Sequence, residues 1–547
     1  MIQNLFFFFS IYLFSFFSIF AYGKFAKKFF FSNEEEENPF VYFFFGIGFL
    51  IILSFIIYWL GLKSPYVNAL ILSIGFLYFL SISKTIKNIK TFIAIPLLLF
   101  VGLLIYKNHD DFYLYHIQHI VEITGDTTKI GIGNLNPKYV YGSLIVYLES
   151  LFHLPFFEFK FVNIPRFVIY VSICGYLYFN TIQETSYKKF ISYIFLLFLL
   201  LKFRRFSEHG YDYSATFYIL FIFIEYFFNE IKLNNIKKIF YLFSIAFAIK
   251  VTSLFFIPFI FYLFFEYAKK NFNWTKFLKD VAPTAIVFCV FTINSFANSG
   301  CLFYPIKQTC LNKKTISWSA NYNEILEEKI VVEAWAKGFY HQKKEERIDS
   351  QEKYGQFLNW FPNWFRIHFI PKIVDPLLIF ISLNLLLYYL GTKEKLTSKF
   401  AKYKKNIVLA FVSFSLWILI MPQLRFGYSC FLILTFLILA LFQNKIIDIK
   451  YKSMLLLLTV LFFNIDNLKR INKNFFNNSN SNFPHYQIIN LKVTKNNNGY
   501  FNYFINEKGL KVVDEEKQYI RKIRNLPIAQ KNIKLKKVKY FDIISNY

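Results

Sequence analysis

The sequence predicts an all-α polytopic membrane protein of about 13–14 spans, with surface helices on its outer face and a small C-terminal extramembrane region. Three observations predict it. Of 547 residues, 56% are hydrophobic and only 18% are charged, whereas a soluble chain of this size carries more charge and shorter apolar runs. Apolar runs of roughly 15–21 residues recur along the chain. Lysine clusters such as Lys24, Lys27 and Lys28, or Lys188 and Lys189, flank many of these runs, as cytoplasmic ends do. The net charge of +28 resides largely in such flanks, and the 76 phenylalanines with abundant Ile, Lys, Asn and Tyr are what AT-rich coding produces. No recognition fold accompanies the charge, so the partner it implies is membrane lipid and not nucleic acid.

The first run, 4–22, has no basic residue ahead of it and no small-residue cleavage site, so it reads as a retained span with its N-terminus outside. Spans at 40–60, 66–82 and 91–106 follow. Placing the lysine-rich loops inside puts the next loop, opening at Asn108-His109-Asp110-Asp111, on the outer face. A helix there would carry Asp111, Tyr115, Gln118 and Glu122 on one side, with Leu114, Ile117 and Val121 on another, and would lie along the lipid surface. An N-cap at Asn108 with Asp111 in the first turn accounts for the same residues without any chemistry. The segment 141–155 is short and contains Glu149; treating it as non-spanning keeps Lys188 and Lys189 in the cytoplasm.

Spans at 163–180, 190–203 and 213–229 come next. The outward loop between the last two, Arg204-Arg205-Phe206-Ser207-Glu208-His209-Gly210-Tyr211-Asp212, mixes both signs of charge beside a membrane. It is either a self-neutralising cluster or a site in use. The run 239–266 is too long for one span and is interrupted by Lys250, which predicts two helices meeting there on the outer side. A lysine so placed snorkels, pairs or deprotonates.

Span 281–297 leads to an outer loop of 298–375, where Cys301 and Cys310 could form a disulfide and a charged middle around Trp335 predicts a surface helix. Cys174, Cys289 and Cys430 fall in apolar runs as packing residues. The remaining spans are 376–390, 406–421, 427–443 and a short 453–464, with Arg425 in an outward turn. Residues 465–547 are polar, with alternating strand-like segments near 493–504 and 534–543, and strict alternation puts them outside.

The outer face thus collects Asp110, Asp111, Glu208, Asp212, Arg204, Arg205, Lys250 and Arg425. Arginine and lysine beside a membrane hold phosphate oxygens, and a carboxylate there can take a proton from an acceptor hydroxyl.

HDDFYLYH, opening an outward loop directly after a span, resembles the acidic-pair-plus-tyrosine signature of type C glycosyltransferases, multispan enzymes that use polyprenyl-phosphate-linked sugars. NLNPKYVYGSLIVYLESLFHLP, FVNIPRFVIYVSICGYLYF, FRRFSEHGYDYSATFYILF and SIAFAIKVTSLFFIP are similar, in order, to the family's loop end and surface helix, next span, short acidic loop and lysine–short-helix–proline pattern. The resemblance covers roughly 90–300, and its specificity lies in the order of weak motifs. NSGCLFYPIKQTC, EAWAKGF and RFGYS are similar to stretches of uncharacterised bacterial membrane proteins of this architecture.

The resemblance implies a glycosyltransferase of the bacterial inner membrane, moving a sugar from a polyprenyl-phosphate carrier to a glycan or lipid acceptor. It gives the catalytic carboxylate role to Asp111 or Asp110 and the donor-phosphate role to Lys250, Arg166, Arg204, Arg205 and Arg425, with Tyr115, Glu208, His209 and Asp212 in support. No cofactor is implied with certainty. Asp110, Asp111 and Asp212 could supply oxygens to a divalent metal, and nothing in the sequence requires one.

The implied organisation is added N-terminal helices at 1–89, the glycosyltransferase-like module at 90–300, an extracytoplasmic loop at 301–375, further membrane helices at 376–464 and a tail at 465–547. The chain departs from the family in carrying four spans ahead of the acidic loop and in lacking Glu at 110–111. A lipid-linked glycan flippase or exporter is the competing reading. It would put ionisable groups at mid-membrane in repeat-related helices, and no inverted repeat is visible. A non-catalytic envelope-assembly protein would keep the fold without needing Asp111.

Overall fold

The structure, a computed structural model, describes residues 2–31, 36–105, 112–125, 128–134, 136–141, 143–157, 159–183, 187–208, 210–227, 233–269, 273–320, 322–343, 345, 347–395, 400–441, 445–449, 452–477, 491–495, 501–505, 533–538 and 541–546. It is about 81% helical. Among the described residues, six helices are long and apolar enough to cross a membrane: Leu5–Phe30, Val41–Trp59, Pro65–Thr85, Val251–Lys269, Trp274–Ser299 and Phe361–Leu386. Ile89–Leu103 and Leu424–Ile438 are apolar but shorter. The other expected spans are helices too, without being among the six.

Four helices come first. α1 (Ile2–Phe30) and α2 (Val41–Trp59) touch backbone to backbone. A Cβ at Gly23 would stand 1.8 Å from the Tyr42 carbonyl oxygen, and one at Gly46 would stand 2.1 Å from that of Ile19, so both positions need glycine. α3 (Pro65–Ile82) starts at Ser64, whose hydroxyl accepts the Tyr66 N–H, and it packs on α1, where Tyr22 donates to the Ile71 carbonyl. α4 (Ile89–Leu103) follows, and Tyr12 of α1 donates to its Pro96 carbonyl.

Two short helices, α5 (Ile117–Thr124) and α6 (Ile145–Ser150), do not traverse the bundle. They lie across one end of it. Ser143 donates to the Ile249 carbonyl at the close of a later helix, and Asn68 at the start of α3 donates to the Ser150 and His153 carbonyls. The non-spanning expectation for 141–155 agrees with this.

α7 (Ile164–Gln183), α8 (Tyr187–Leu201), the single turn α9 (Phe203–Phe206), α10 (Tyr211–Tyr226) and α11 (Leu233–Ile249) build the centre. The long run breaks where expected: α11 stops at Ile249, Lys250 is extended, a 3-10 segment covers Val251–Phe256, and α12 (Ile257–Lys269) returns. α13 (Trp274–Ser299) is longer than the expected 281–297 because its first turn, capped by Asn273, is polar.

The loop beyond α13 holds the Cys301–Cys310 disulfide and the surface helix α14 (Tyr322–Ala336). After α15 (Gln351–Gly355) and a turn, α16 (Phe361–Trp364) and a wide π-helical stretch, Phe365–Val374, run directly into α17 (Asp375–Leu390). α18 (Phe400–Ile420) and α19 (Leu424–Leu441) form a hairpin. α20 (Lys452–Asn477) has 26 residues where only a short 453–464 is expected; its second half, with Asp466, Lys469, Arg470 and Lys473, is helical yet too charged to register as an apolar run.

The strands are few. β1 is Thr128–Ile130, and β2 (Gly391–Lys395) pairs antiparallel with β3 (Lys445–Ile449). In the tail, β4 (Leu491–Lys495) pairs with β5 (Phe501–Ile505), and β6 (Ile533–Val538) pairs with β7 (Phe541–Asn546), both antiparallel. β7 also runs parallel to β1, with Thr128 opposite Phe541. Of the tail strands, β6 and β7 therefore join β1 beside α5, whereas β4 and β5 pair only with each other.

The opposite end is rich in lysine. Lys27 and Lys238 both reach Glu36, at 2.8 and 3.4 Å, and Lys188 meets Glu225 at 2.9 Å. Lys27 and Lys188 are among the lysines expected to mark the cytoplasm, and these buried ammonium groups are held here by half-buried acids.

Candidate active site

At the end bearing α5 and α6, five segments distant in sequence bring charge together. Asp212 opens α10, almost enclosed. Lys250, at the α11 break, places its Nζ 3.1 Å from Asp212 Oδ1, and the Arg425 Nε at the start of α19 lies 3.9 Å from Oδ2. One carboxylate thus serves two cations. The extended backbone at Lys250 turns the chain so that this side chain faces the α10 start instead of continuing down the helix.

Arg425 lies against two adjacent rings: its guanidinium is 4.8 Å from the Trp335 ring of α14 and 5.2 Å from that of Phe426, the rings being 6.1 Å apart, while Lys250 lies 5.2 Å from the same Phe426 ring. The α19 turn that aims Arg425 is fixed by glycine. A Cβ at Gly427 would fall 2.1 Å from the Trp417 ring, and the Trp417 indole donates to the Gln423 carbonyl. α14 is held over the cluster by Glu328, which meets Lys138 in an ion pair and accepts from the Tyr141 hydroxyl.

Behind Asp212 lies a fully enclosed ion pair, Arg166 of α7 with Glu149 of α6. The Arg166 guanidinium also lies 4.8 Å from the Tyr211 ring, and His116 meets that ring edge-on at 4.2 Å. The series Glu149, Arg166, Tyr211, His116 therefore backs the Asp212–Lys250–Arg425 cluster.

Burial, then the nearby charges of Arg166, Lys250 and Arg425 together with His119, press the His116 imidazole well below its ordinary value. Burial brings His119, stacked on Tyr139 at 4.7 Å, to about 3. Unfolded histidine takes up a proton as the pH falls through about 6.5. Folded His119 stays neutral down to about 3, so its stabilising contribution is complete above pH 6.5 and is lost progressively below it. Thermal unfolding of the detergent-purified protein should therefore occur at lower temperature at pH 5.5 than at pH 7.5, and His119→Gln should flatten part of that slope. An unfolding temperature indifferent to pH over this interval would refute the assignment.

The expected site residues divide as follows. Asp212, Lys250 and Arg425 come together. Arg205 pairs with Glu208 at 3.9 Å near the same end, and Arg204 on the same turn is exposed. Arg166 adjoins the cluster but is enclosed and committed to Glu149. Tyr115 lies beside His116, ring to ring at 4.2 Å. Asp110, Asp111 and His209 fall outside the described residues.

Among the described residues no three His, Cys, Asp or Glu side chains gather as a metal would require. The metal suggestion relied on Asp110 and Asp111 and so lies outside them. Sequence reasoning missed His116 and Tyr211, whose aromatic character hides among 39 tyrosines and many rings. The Glu149–Arg166 pair had a readable signal, two opposite charges inside apolar segments.

Fold and composition together define a multi-pass helical membrane protein. The chain belongs to the family described as Domain of unknown function (DUF8201), whose model matches residues 5–432. That span takes in every element of the cluster and also the four helices ahead of the acidic loop. No curated protein and no solved structure matches the chain.

Proposed function

We propose that the protein is a membrane glycosyltransferase that moves a sugar from a polyprenyl-phosphate carrier to a glycan or lipid acceptor at the outer face of a bacterial inner membrane. The observation that supports this reading best is the sharing of Asp212 between Lys250 and Arg425 at one end of the helical bundle. Two cations held by a single carboxylate keep charge in reserve for phosphate oxygens, and guanidinium and ammonium groups bind those oxygens through charge-assisted hydrogen bonds. The ordered resemblance of residues 90–300 to type C glycosyltransferases supports it independently.

In the reaction, the acceptor hydroxyl oxygen bonds to the anomeric carbon as the bond from that carbon to the phosphate oxygen breaks. The electron pair leaves on the polyprenyl phosphate, where Lys250 and Arg425 stabilise it, and the hydroxyl proton passes to Asp111. Arg166 supports the site from behind through Tyr211.

Lys250→Gln should lower transfer from a radiolabelled polyprenyl-phosphate sugar in isolated membranes by about 10- to 100-fold, the scale of one lost charge-assisted contact. Lys250→Arg should restore part of it. Transfer by Lys250→Gln equal to wild type would defeat the proposal. Carrier-mediated movement of the intact lipid without any sugar transfer would place the protein with the flippases instead.

A further inference from the structure

The surface of the chain changes character abruptly between Lys353 and Phe361. From Lys343 to Lys353 every exposed described residue is charged or polar. From Phe361 to Val374 the exposed residues are Phe361, Pro362, Phe365, Ile370 and Pro371, all apolar. A helix in water does not sort its surface this way: α14, in the same loop, exposes Asn323, Glu327 and Lys329 beside Leu326. A contiguous apolar face of this kind marks contact with protein or membrane.

At the border the chain makes a tip. Phe357 has a φ of +47° and is 92% exposed, and Leu358 beside it is 63% exposed. A bulky residue rarely takes this backbone conformation, and a ring so presented in water gains nothing from it. The tip is firmly held, because the Trp360 indole donates to the Phe357 carbonyl at 2.9 Å. Trp360 and Trp364 are buried on the opposite face, where the Trp364 indole donates to the Pro422 carbonyl at 2.6 Å. The exposed stripe is therefore mounted on the turn ahead of α19.

Length decides where the stripe lies. The apolar helix Phe361–Leu386 has 26 residues, roughly 39 Å at 1.5 Å each, against about 30 Å of hydrocarbon. α17 opens at Asp375, which pairs with Lys202 just beyond α8, so a polar border already stands there. The turns ahead of Asp375 are surplus to a crossing, yet their outward residues are as apolar as Leu378 and Leu385 on the lipid-facing side of α17. An apolar face continuous with that side belongs at the boundary of headgroups and acyl chains.

We propose that Phe357, Leu358, Phe361 and Phe365 insert into the membrane leaflet at the end of the bundle bearing the Asp212 cluster, with bilayer lipid as their partner. Residues 357–374 of the expected extracytoplasmic loop are then a lipid-embedded wedge, and water begins at Lys353. The proposal does not depend on the glycosyltransferase reading.

The test places a nitroxide at single introduced cysteines in the full chain carrying Cys289→Ser, since Cys174 and Cys430 are buried and Cys301 is bonded to Cys310. Phe357→Cys and Phe365→Cys report on the wedge, and Lys353→Cys is the aqueous reference. The labelled proteins are reconstituted into vesicles of phosphatidylethanolamine and phosphatidylglycerol. Labels at 357 and 365 should meet oxygen, which concentrates in lipid, and collide several-fold less often with a water-soluble nickel chelate than the label at 353 does. Nickel collisions at 357 and 365 equal to those at 353 would overturn the wedge. Exclusion of both reagents would overturn it as well, because a second copy or another protein then covers the face.

Each variant is checked for folding by elution volume and helical circular dichroism. Hydroxyl-radical labelling of the wild-type chain in the same vesicles needs no substitution. Relative to its rate in the denatured chain, Phe357 should be oxidised several-fold less than Tyr340, although Tyr340 is the less exposed of the two at 54%. Equal relative oxidation of both would put Phe357 in water and end the proposal.

Discussion

Arg166→Met should strip the protein of about 3–5 kcal/mol of stability, the usual cost of leaving a buried charge without its partner. Both members of the Arg166–Glu149 pair are fully enclosed, so Glu149 cannot turn to solvent when the guanidinium is gone. Methionine approximates the aliphatic stem but leaves the carboxylate in an apolar setting and removes the cation beside Tyr211. The double variant Glu149→Gln, Arg166→Met should recover much of the loss, because no charge is then stranded. Thermal unfolding of the detergent-purified variants, with trypsin resistance of membranes as a second reading, measures this. A single variant as stable as wild type would show that the pair contributes nothing to holding α6 against α7.

Asp111→Asn should reduce sugar transfer roughly 100- to 10,000-fold while leaving membrane insertion intact, as loss of a positioned general base does. Asparagine keeps the size and hydrogen-bonding reach of the side chain but cannot take the acceptor's proton. Asp110→Asn, examined in parallel, tells which of the two adjacent carboxylates is the base. The discriminating measurement is transfer with saturating acceptor. A fall in rate without a matching rise in the acceptor concentration needed for half-maximal rate indicates lost chemistry, not lost binding. Wild-type transfer by both variants would remove the base from the scheme.

Most of the helices were legible because lipid-compatible runs are long and their lysine borders are sharp. The break at Lys250 could be read for the same reason: a charge in the middle of an apolar run has to be brought to an edge. α20 was underestimated because an apolar-run criterion does not see a helix whose second half is charged. The π-helical stretch Phe365–Val374 has no local signature, since Pro371 and mixed polarity read as loop.

Of the site, Asp212, Lys250 and Arg425 were each visible as misplaced charges. What the sequence could not tell was that three loops separated by up to two hundred residues share one carboxylate. His116 was invisible for another reason: it acquires its meaning from Tyr211, a neighbour on a different element.

The parallel pairing of Thr128–Ile130 with Phe541–Asn546 has a consequence for biogenesis. A strand in the first large loop finds its partner only after roughly 410 more residues have been translated and carried to the same side of the bilayer. Until then the side of β1 that faces β7 is an open edge, while Lys129 within the strand is held by the Tyr58 hydroxyl through its N–H and by Glu122 through its ammonium. Assembly of this loop is thus a late maturation event, complete only when the last strand of the tail has been made.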